Sequence, residues 1–389
     1  MEASLYIHVP FCESICDYCD FYSVPVLPGD GRLSFFIDAL FSDAEAVLEE
    51  FDVTEVPTVY IGGGTPSALG ARGMERLLAA LGALLPPLPG RVREWTVEAN
   101  PESAGRDFLE ACRMGGVTRV SLGIQTFHEP ARQALRRRGR RSLFSERLAL
   151  VREIFGASFS ADLLSGLPFQ DEDTLRRDMD TLLSYEPGHV SLYSLTVASG
   201  TPLEKKSRIK GFLPGAEEAE RLWLAGRDML AGAGYEQYEV SNFARPGRRC
   251  VHNIRYWRME NWLGLGPAAS GTVIGGDFPA TGRRFTAAAD VDTWLAVHAP
   301  GRGPAGNCAV EFLDTLTLMK ESFLMGFRYA DGPDGELFRK RFGLSVEKAI
   351  PKTLQKWRER GLLEEGPRLS PEGLLLLNPF LLDVFEELG

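Results

Sequence analysis

A chain of 389 residues, 44% hydrophobic and 25% charged, has the composition of a soluble globular protein with one large core and appended units, which excludes a disordered or fibrous chain. Its formal net charge of -10 gives no blanket attraction to phosphate backbones or anionic lipid. Nucleic acid is therefore not expected as a partner, and a peripheral membrane contact, left open here, would need a local basic patch.

Short β-branched or aromatic runs alternate with helical patterns through the first half. Strands are expected at 4–10, 58–64, 94–100, 119–125, 158–166 and 189–195. Between the first two, Leu33, Phe36, Ile37, Leu40, Ala44, Val47 and Leu48 recur at helical spacing and make one apolar face. Similar helices fit 72–85, 103–114, 143–154 and 171–184. A repeated strand and helix unit implies a parallel sheet with right-handed crossovers, and six units make an α/β partial barrel with its polar groups at the C-terminal ends of the strands. The arginine run at 136–141, "RRRGRR", reads mostly as a solvated helix end.

After about residue 200 the aromatic segments "YEQYEVSNFARPG" and "HNIRYWRMENWLGLGPAASG" are broken by Gly and Pro, and they suggest an accessory β region. The end of the chain reads as helix, "KTLQKWRER", hairpin, "LLEEGPRLS", and helix, "PEGLLLLNPFLLDVFEEL", a small winged-helix-like module serving as a lid or docking surface. The expected division is 1–200, 201–310 and 311–389. The start, "MEASLYIHVPF", lacks the basic n-region and apolar run of a signal peptide.

The six cysteines include a cluster, Cys12, Cys16 and Cys19, in "FCESICDYCDFYS". So few cysteines, half of them in one loop, fit a reducing, cytoplasmic compartment. A structural zinc site would need a fourth ligand, for which His8, Asp17 and Asp20 are the nearest candidates. Iron-sulfur chemistry fits three thiolates better, since it leaves one iron open to a ligand.

The cysteine spacing together with "GGGTP" resembles the radical S-adenosylmethionine superfamily. In that superfamily S-adenosylmethionine chelates the open iron of a 4Fe-4S cluster, and an electron from the cluster cleaves the sulfonium to a 5'-deoxyadenosyl radical. The ordered stretches "YIHVPFC", "GGGTPS", "VEANPE", "SLGIQTF", "DLLSGLPFQ", "SLYSLT", "YEVSNFA" and "HNIRYW" are similar to the group of oxygen-independent coproporphyrinogen III oxidases and their HemW-type heme chaperone relatives. The true oxidases of that group carry a cysteine two residues after the third ligand, whereas Phe21 stands there in this chain. The resemblance thus implies a partial (β/α)6 barrel of the radical SAM type and a chaperone that passes heme to acceptor proteins. The alternative it implies is oxidative decarboxylation of coproporphyrinogen III, so whether the protein is an enzyme stays open.

By the same resemblance, Cys12, Cys16 and Cys19 hold the cluster. Tyr6, Gly63, Gly64, Thr65, Glu98, Gln125, Arg137 and Asp162 contact S-adenosylmethionine, and His252, Tyr256 and Trp257 contact heme. Each has a plainer alternative. "GGGTP" would otherwise be a strand-ending turn, Glu98 a solvated acid, and Tyr6 and His8 barrel filling. "HNIRYW" would otherwise be a packed β corner, with Cys250 a further possible thiolate. Asp162 sits among apolar neighbours and should have a cationic or hydrogen-bonding partner, for which Arg137 is the natural candidate. Relatives carry a "GPGAHS"-like stretch where this chain has "GPAAS", with Ala269 in place of the histidine. A small-protein electron donor is the other expected partner, and the protein is expected to be a monomer or homodimer.

Overall fold

A computed structural model describes residues 1–27, 29–85, 94–276, 278–298 and 308–389. The chain runs β1 (Ser4–Val9), β2 (Phe11–Cys12), β3 (Val24–Pro25), α1 (Arg32–Glu50), β4 (Thr58–Gly63), α2 (Gly70–Leu84), β5 (Glu94–Ala99), α3 (Arg106–Met114), β6 (Arg119–Gln125), α4 (Glu129–Ala134), α5 (Arg141–Phe155), β7 (Phe159–Ser165), α6 (Glu172–Leu183) and β8 (His189–Ser194). It continues through α7 (Pro202–Ser207), α8 (Ala216–Gly232), β9 (Glu236–Gln237), β10 (Asn242–Ala244), α9 (Val251–Trp257), β11 (Trp262–Leu265), β12 (Ser270–Ile274), β13 (Gly282–Ala287), α10 (Val291–Val297) and β14 (Cys308–Leu313). Helices α11 (Thr315–Gly326), α12 (Gly335–Phe342), α13 (Val346–Ala349), α14 (Pro351–Glu359), α15 (Pro371–Leu375) and α16 (Leu377–Leu388) complete it.

Strands β1, β4, β5, β6, β7 and β8 lie side by side in that order and are all parallel. Each coincides with an expected run to within a residue at either end. They are buried almost throughout because helices cover a parallel sheet, so their sequences are apolar runs rather than clean alternations. Helix α1 buries Phe36, Ile37, Leu40 and Ala44, the stripe that helical spacing picked out.

The middle of the chain departs from expectation. The described residues of segment 201–310 are not mainly strand: α8 and α9 lie among them, and "HNIRYW" is helical. Its aromatic residues suit a strand by propensity, but the Glu94 carboxylate on β5 accepts the backbone N–H groups of Val251 and His252 at 3.2 and 3.0 Å. A partner far away in sequence therefore caps the first turn. The helix also returns the chain for a further parallel strand, β11, on the outer side of β1. Strands β12, β13 and β14 extend that edge in antiparallel fashion.

The C-terminal helices have their own core, in which Trp357 stands edge-on to Phe380 at 5.1 Å. Gly361, at φ 71°, follows the end of α14, and the expected hairpin is reduced to one bridge between Leu363 and Leu369. This module is not a lid over the C-terminal ends of the strands. The Arg341 guanidinium donates to Met259 O at 2.7 Å and Ala330 N to Tyr238 O at 2.9 Å. Tyr238 in turn meets His189, the first residue of β8, so the module packs at the opposite end of the barrel. The expected 310/311 boundary falls inside β14, whose hydrogen bonds to β13 cross it. Among the described residues no helix is long and apolar enough to cross a membrane.

Candidate cofactor site at the C-terminal ends of the strands

Parallel pairing of β2 with β3 closes the base of the cysteine loop. Cys12, Cys16 and Cys19 from that loop line one cavity of about 490 Å³, within the range of small-molecule sites. Gly63, Gly64, Thr65, Glu98, Gln125, Arg137 and Asp162 line it too, so residues far apart in sequence meet where the strands end. Tyr6 does not. Its hydroxyl meets His8 Nδ1 at 3.0 Å, and His8 Nε2 meets Tyr22 O at 2.9 Å, so this pair braces the wall from outside the lining.

The "GGGTP" turn is built by close approach. At Gly63 (φ 108°) a Cβ would come within 2.7 Å of the His8 ring, and at Gly62 within 2.8 Å of Glu98 Oε2. The main-chain N–H groups of the turn are taken: Gly63 N donates to Glu98 Oε2 at 3.2 Å, Gly64 N to Val9 O at 2.8 Å and Thr65 N to Phe11 O at 2.7 Å. The turn shapes the wall and leaves recognition to side chains.

A chain of hydrogen bonds runs round that wall. Cys12 Sγ meets Thr65 Oγ1 at 3.2 Å, Asn100 Nδ2 donates to Thr65 Oγ1 at 2.9 Å, and Arg137 Nη2 donates to Asn100 Oδ1 at 3.0 Å. Arg137 Nη1 then donates to Cys16 Sγ at 3.8 Å. The register of the arginine run is thereby settled, because Arg136 turns outward to Asp17 and only Arg137 enters the cavity. Asp17 is committed to Lys206 at 2.6 Å and to Arg136 at 3.6 Å, which removes it as a metal ligand. Asn100 is the hub of this chain. Sequence reasoning passed over it, although it lies two residues after Glu98 in the quoted "VEANPE".

Asp162 has a hydrogen-bonding partner, as expected, but a serine supplies it, and Arg137 acts on the carboxylate only through its charge. Ser121 Oγ donates to its Oδ1 at 3.3 Å, and enclosure pushes its carboxyl up to about 6, against hydrogen bonds from Ser191 and Ser121. Gln125 reaches the cavity through an irregularity in the pairing of β6 with β7 and a left-handed backbone, φ 68°. Glu98 accepts from the Tyr60 hydroxyl at 2.7 Å, and burial pushes its carboxyl up to about 7. A carboxyl raised by folding makes the folded state take up protons between its unfolded and folded values, so stability is lost as pH rises through that window. Glu98→Gln is therefore expected to raise the melting temperature of the protein without ligand. The gain should grow with pH and level off above about 7, as differential scanning fluorimetry across pH would reveal.

The thiols fit a multi-iron body better than a single ion. No three His, Cys, Asp or Glu side chains among the described residues converge closely enough to hold one metal ion, as zinc would require. Three thiols spread around one cavity can each take a separate iron. Burial pushes the Cys19 thiol up to about 11 and raises Cys12, so both become thiolates only against a metal.

The expected heme contacts lie elsewhere. His252 is 1% exposed and holds Thr58 Oγ1 through Nδ1 at 2.8 Å, and Tyr256 and Trp257 sit in the same helix, α9. Thr58 and Glu94 begin their strands, so α9 plugs the end of the barrel opposite the cysteines. Neither His252, Tyr256 nor Trp257 lines the cavity, and a porphyrin would reach His252 only if α9 withdrew. Cys250 belongs to this plug, its Sγ 3.2 Å from Glu94 Oε1. The Gly266 turn packs on β1 and Asp43, and Ala269 is buried.

Residues 6–182 match the radical SAM superfamily, and residues 313–376 match the HemN C-terminal domain. The chain is 30% identical over 383 residues to heme chaperone HemW of Bacillus subtilis, covering 96% of this chain and 97% of that one. The chain belongs to the radical SAM superfamily, in its HemW group. It is also 36% identical over 273 residues to heme chaperone HemW of Escherichia coli, which covers 69% of this chain and 70% of that one. Identity to the mitochondrial radical S-adenosyl methionine domain-containing protein 1 of Bos taurus is 34% over 399 residues, covering 100% of this chain and 88% of that one. Among solved structures, coproporphyrinogen III oxidase (HemN) from Escherichia coli shares the fold, with a TM-score of 0.81 over 98% of this chain and 90% of that one at 19% identity. Radical SAM proteins work with a 4Fe-4S cluster and S-adenosylmethionine, and the spread thiols and enclosed carboxylates of this cavity fit both.

Proposed function

We propose that this radical SAM protein is a heme chaperone, which binds heme and hands it to acceptor proteins. The observation that carries the reading is similarity along the whole chain to HemW of Bacillus subtilis. Phe21 supports it, since a phenylalanine 68% exposed stands two residues after Cys19 where the oxidases place a cysteine. Cys12, Cys16 and Cys19 hold the cluster in this reading. Glu98, Gln125, Arg137, Asp162 and Thr65 face S-adenosylmethionine, while Gly63 and Gly64 shape its wall. When bound, the cluster and S-adenosylmethionine supply one-electron reduction at a sulfonium. The chain's own residues do the rest: Thr65, Asn100 and Arg137 fix the walls beside Cys12 and Cys16, and Glu98 and Asp162 offer negative charge to a cationic ligand.

A small reducing protein is the electron donor in this scheme, and six unpaired cysteines support a reducing, cytoplasmic setting. The division into a barrel (1–200), a completing region and a C-terminal module belongs to the same proposal, with the last boundary moved beyond β14. Its test is direct. Reconstituted protein is mixed without oxygen with hemin, then with an apo-hemoprotein, and separately with coproporphyrinogen III, reductant and S-adenosylmethionine. A Soret band that moves to the acceptor, with no protoporphyrinogen IX formed, is the expected result. Turnover of coproporphyrinogen III would make the protein an oxidase and overturn the reading.

A further inference from the structure

The "HNIRYW" plug lies beneath the cavity, yet one side chain connects them. Tyr60 occupies the middle of β4, and its ring rests on the His252 ring with centroids 5.1 Å apart and planes 30° apart. His252 is held in place from two sides: Nδ1 meets Thr58 Oγ1 at 2.8 Å, and Tyr256 stands edge-on at 5.0 Å. Thr58 and Tyr60 are alternate residues of one strand, so they present one surface to the imidazole. From that seat the Tyr60 hydroxyl donates to Glu98 Oε1 at 2.7 Å, while Glu98 Oε2 takes Gly63 N. Space is tight, for a Cβ at Gly62 would lie 2.9 Å from Tyr60 Cε1 as well as 2.8 Å from Glu98 Oε2. The other ionisable groups that act on Glu98 are Tyr6 from β1, Asp162 from β7 and Tyr193 from β8. None of them is hydrogen-bonded to it.

We propose that Tyr60, seated on His252, is a positioning residue that orients the Glu98 carboxylate and holds it ionised for the cationic amino-acid end of S-adenosylmethionine. The "HNIRYW" helix thereby serves the cofactor cavity from below. This inference rests on the assignment of Glu98 to S-adenosylmethionine and is independent of where heme binds. The carboxyl sits near neutrality, so losing a donor to its ionised form moves it further up.

The test is equilibrium dialysis of S-adenosylmethionine against cluster-loaded protein from about pH 6 to 9, a span chosen to bracket a carboxyl raised to about 7. Tyr60→Phe is expected to bind about tenfold more weakly at neutral pH, the worth of one charge-assisted hydrogen bond, and to shift the pH midpoint of binding upward. His252→Asn keeps a partner for Thr58 but removes the ring, so it should shift affinity and midpoint the same way by less. Iron content and melting temperature establish that each variant is folded and loaded. If His252→Asn does not fold, Tyr60→Phe decides. Should Glu98→Gln weaken binding while Tyr60→Phe changes neither affinity nor midpoint, the positioning role is wrong and the assignment of Glu98 survives. Should neither variant change them, both are wrong.

Discussion

Replacing Cys16 with alanine is expected to leave anaerobically reconstituted protein with far less than the about four irons and four sulfides per chain that an intact cluster holds. Each thiol of the loop faces the cavity from a different position, so in a cubane each serves its own iron and no neighbour can substitute. Asp17 cannot step in, being held by Lys206 and Arg136. The fold should survive, because the loop is closed by β2 and β3 and not by the thiols. Iron and sulfide analysis, the broad visible absorption of the cluster and far-ultraviolet circular dichroism would check this together. Full iron content in the variant, or zinc in the intact protein, would contradict the account.

A second large effect is expected at the other end of the barrel, where the cost is in stability. Glu94 Oε1 accepts from Cys250 Sγ and His252 N at 3.2 and 3.0 Å, and Oε2 accepts from Val251 N and Arg119 Nε, both at 3.2 Å. Glu94→Ala strands a buried guanidinium and uncaps α9 at once, which should cost about 3–5 kcal/mol, the range for breaking a buried ion pair. Denaturant unfolding would read that loss. Replacing Glu94 and Arg119 together with apolar residues should recover part of it, since the unpaired charge then disappears. A loss below about 1 kcal/mol, the net worth of an ordinary hydrogen bond, would mean that water reaches the guanidinium.

These two sites differ in how legible they were. The cysteine loop, "GGGTP" and the polar residues after each strand could be read because a parallel α/β unit places such residues at one end of the sheet as a matter of topology. Topology thus put Glu98 and Gln125 at the strand ends, whereas Arg137 and Asp162 were picked out only by the family resemblance, and all four line one cavity. Glu94 and Tyr60 gave no comparable signal. Each belongs to a strand whose pattern speaks only of burial, Glu94 at the start of β5 and Tyr60 within β4, and their partners, α9 and Glu98, are distant in sequence.

Composition, hydrophobic period and cysteine spacing thus determined the six-unit parallel core, its helices and the thiol trio, since these depend on interactions between near neighbours along the chain. Only tertiary structure decided that "HNIRYW" is a helix capped by Glu94, that Arg137 rather than Arg136 turns inward, and that Asp162 takes its hydrogen bond from a serine rather than from Arg137. It also set the C-terminal module against the far end of the barrel. In each case a polar group was satisfied by a partner many residues away, and burial made that pairing outweigh local propensity.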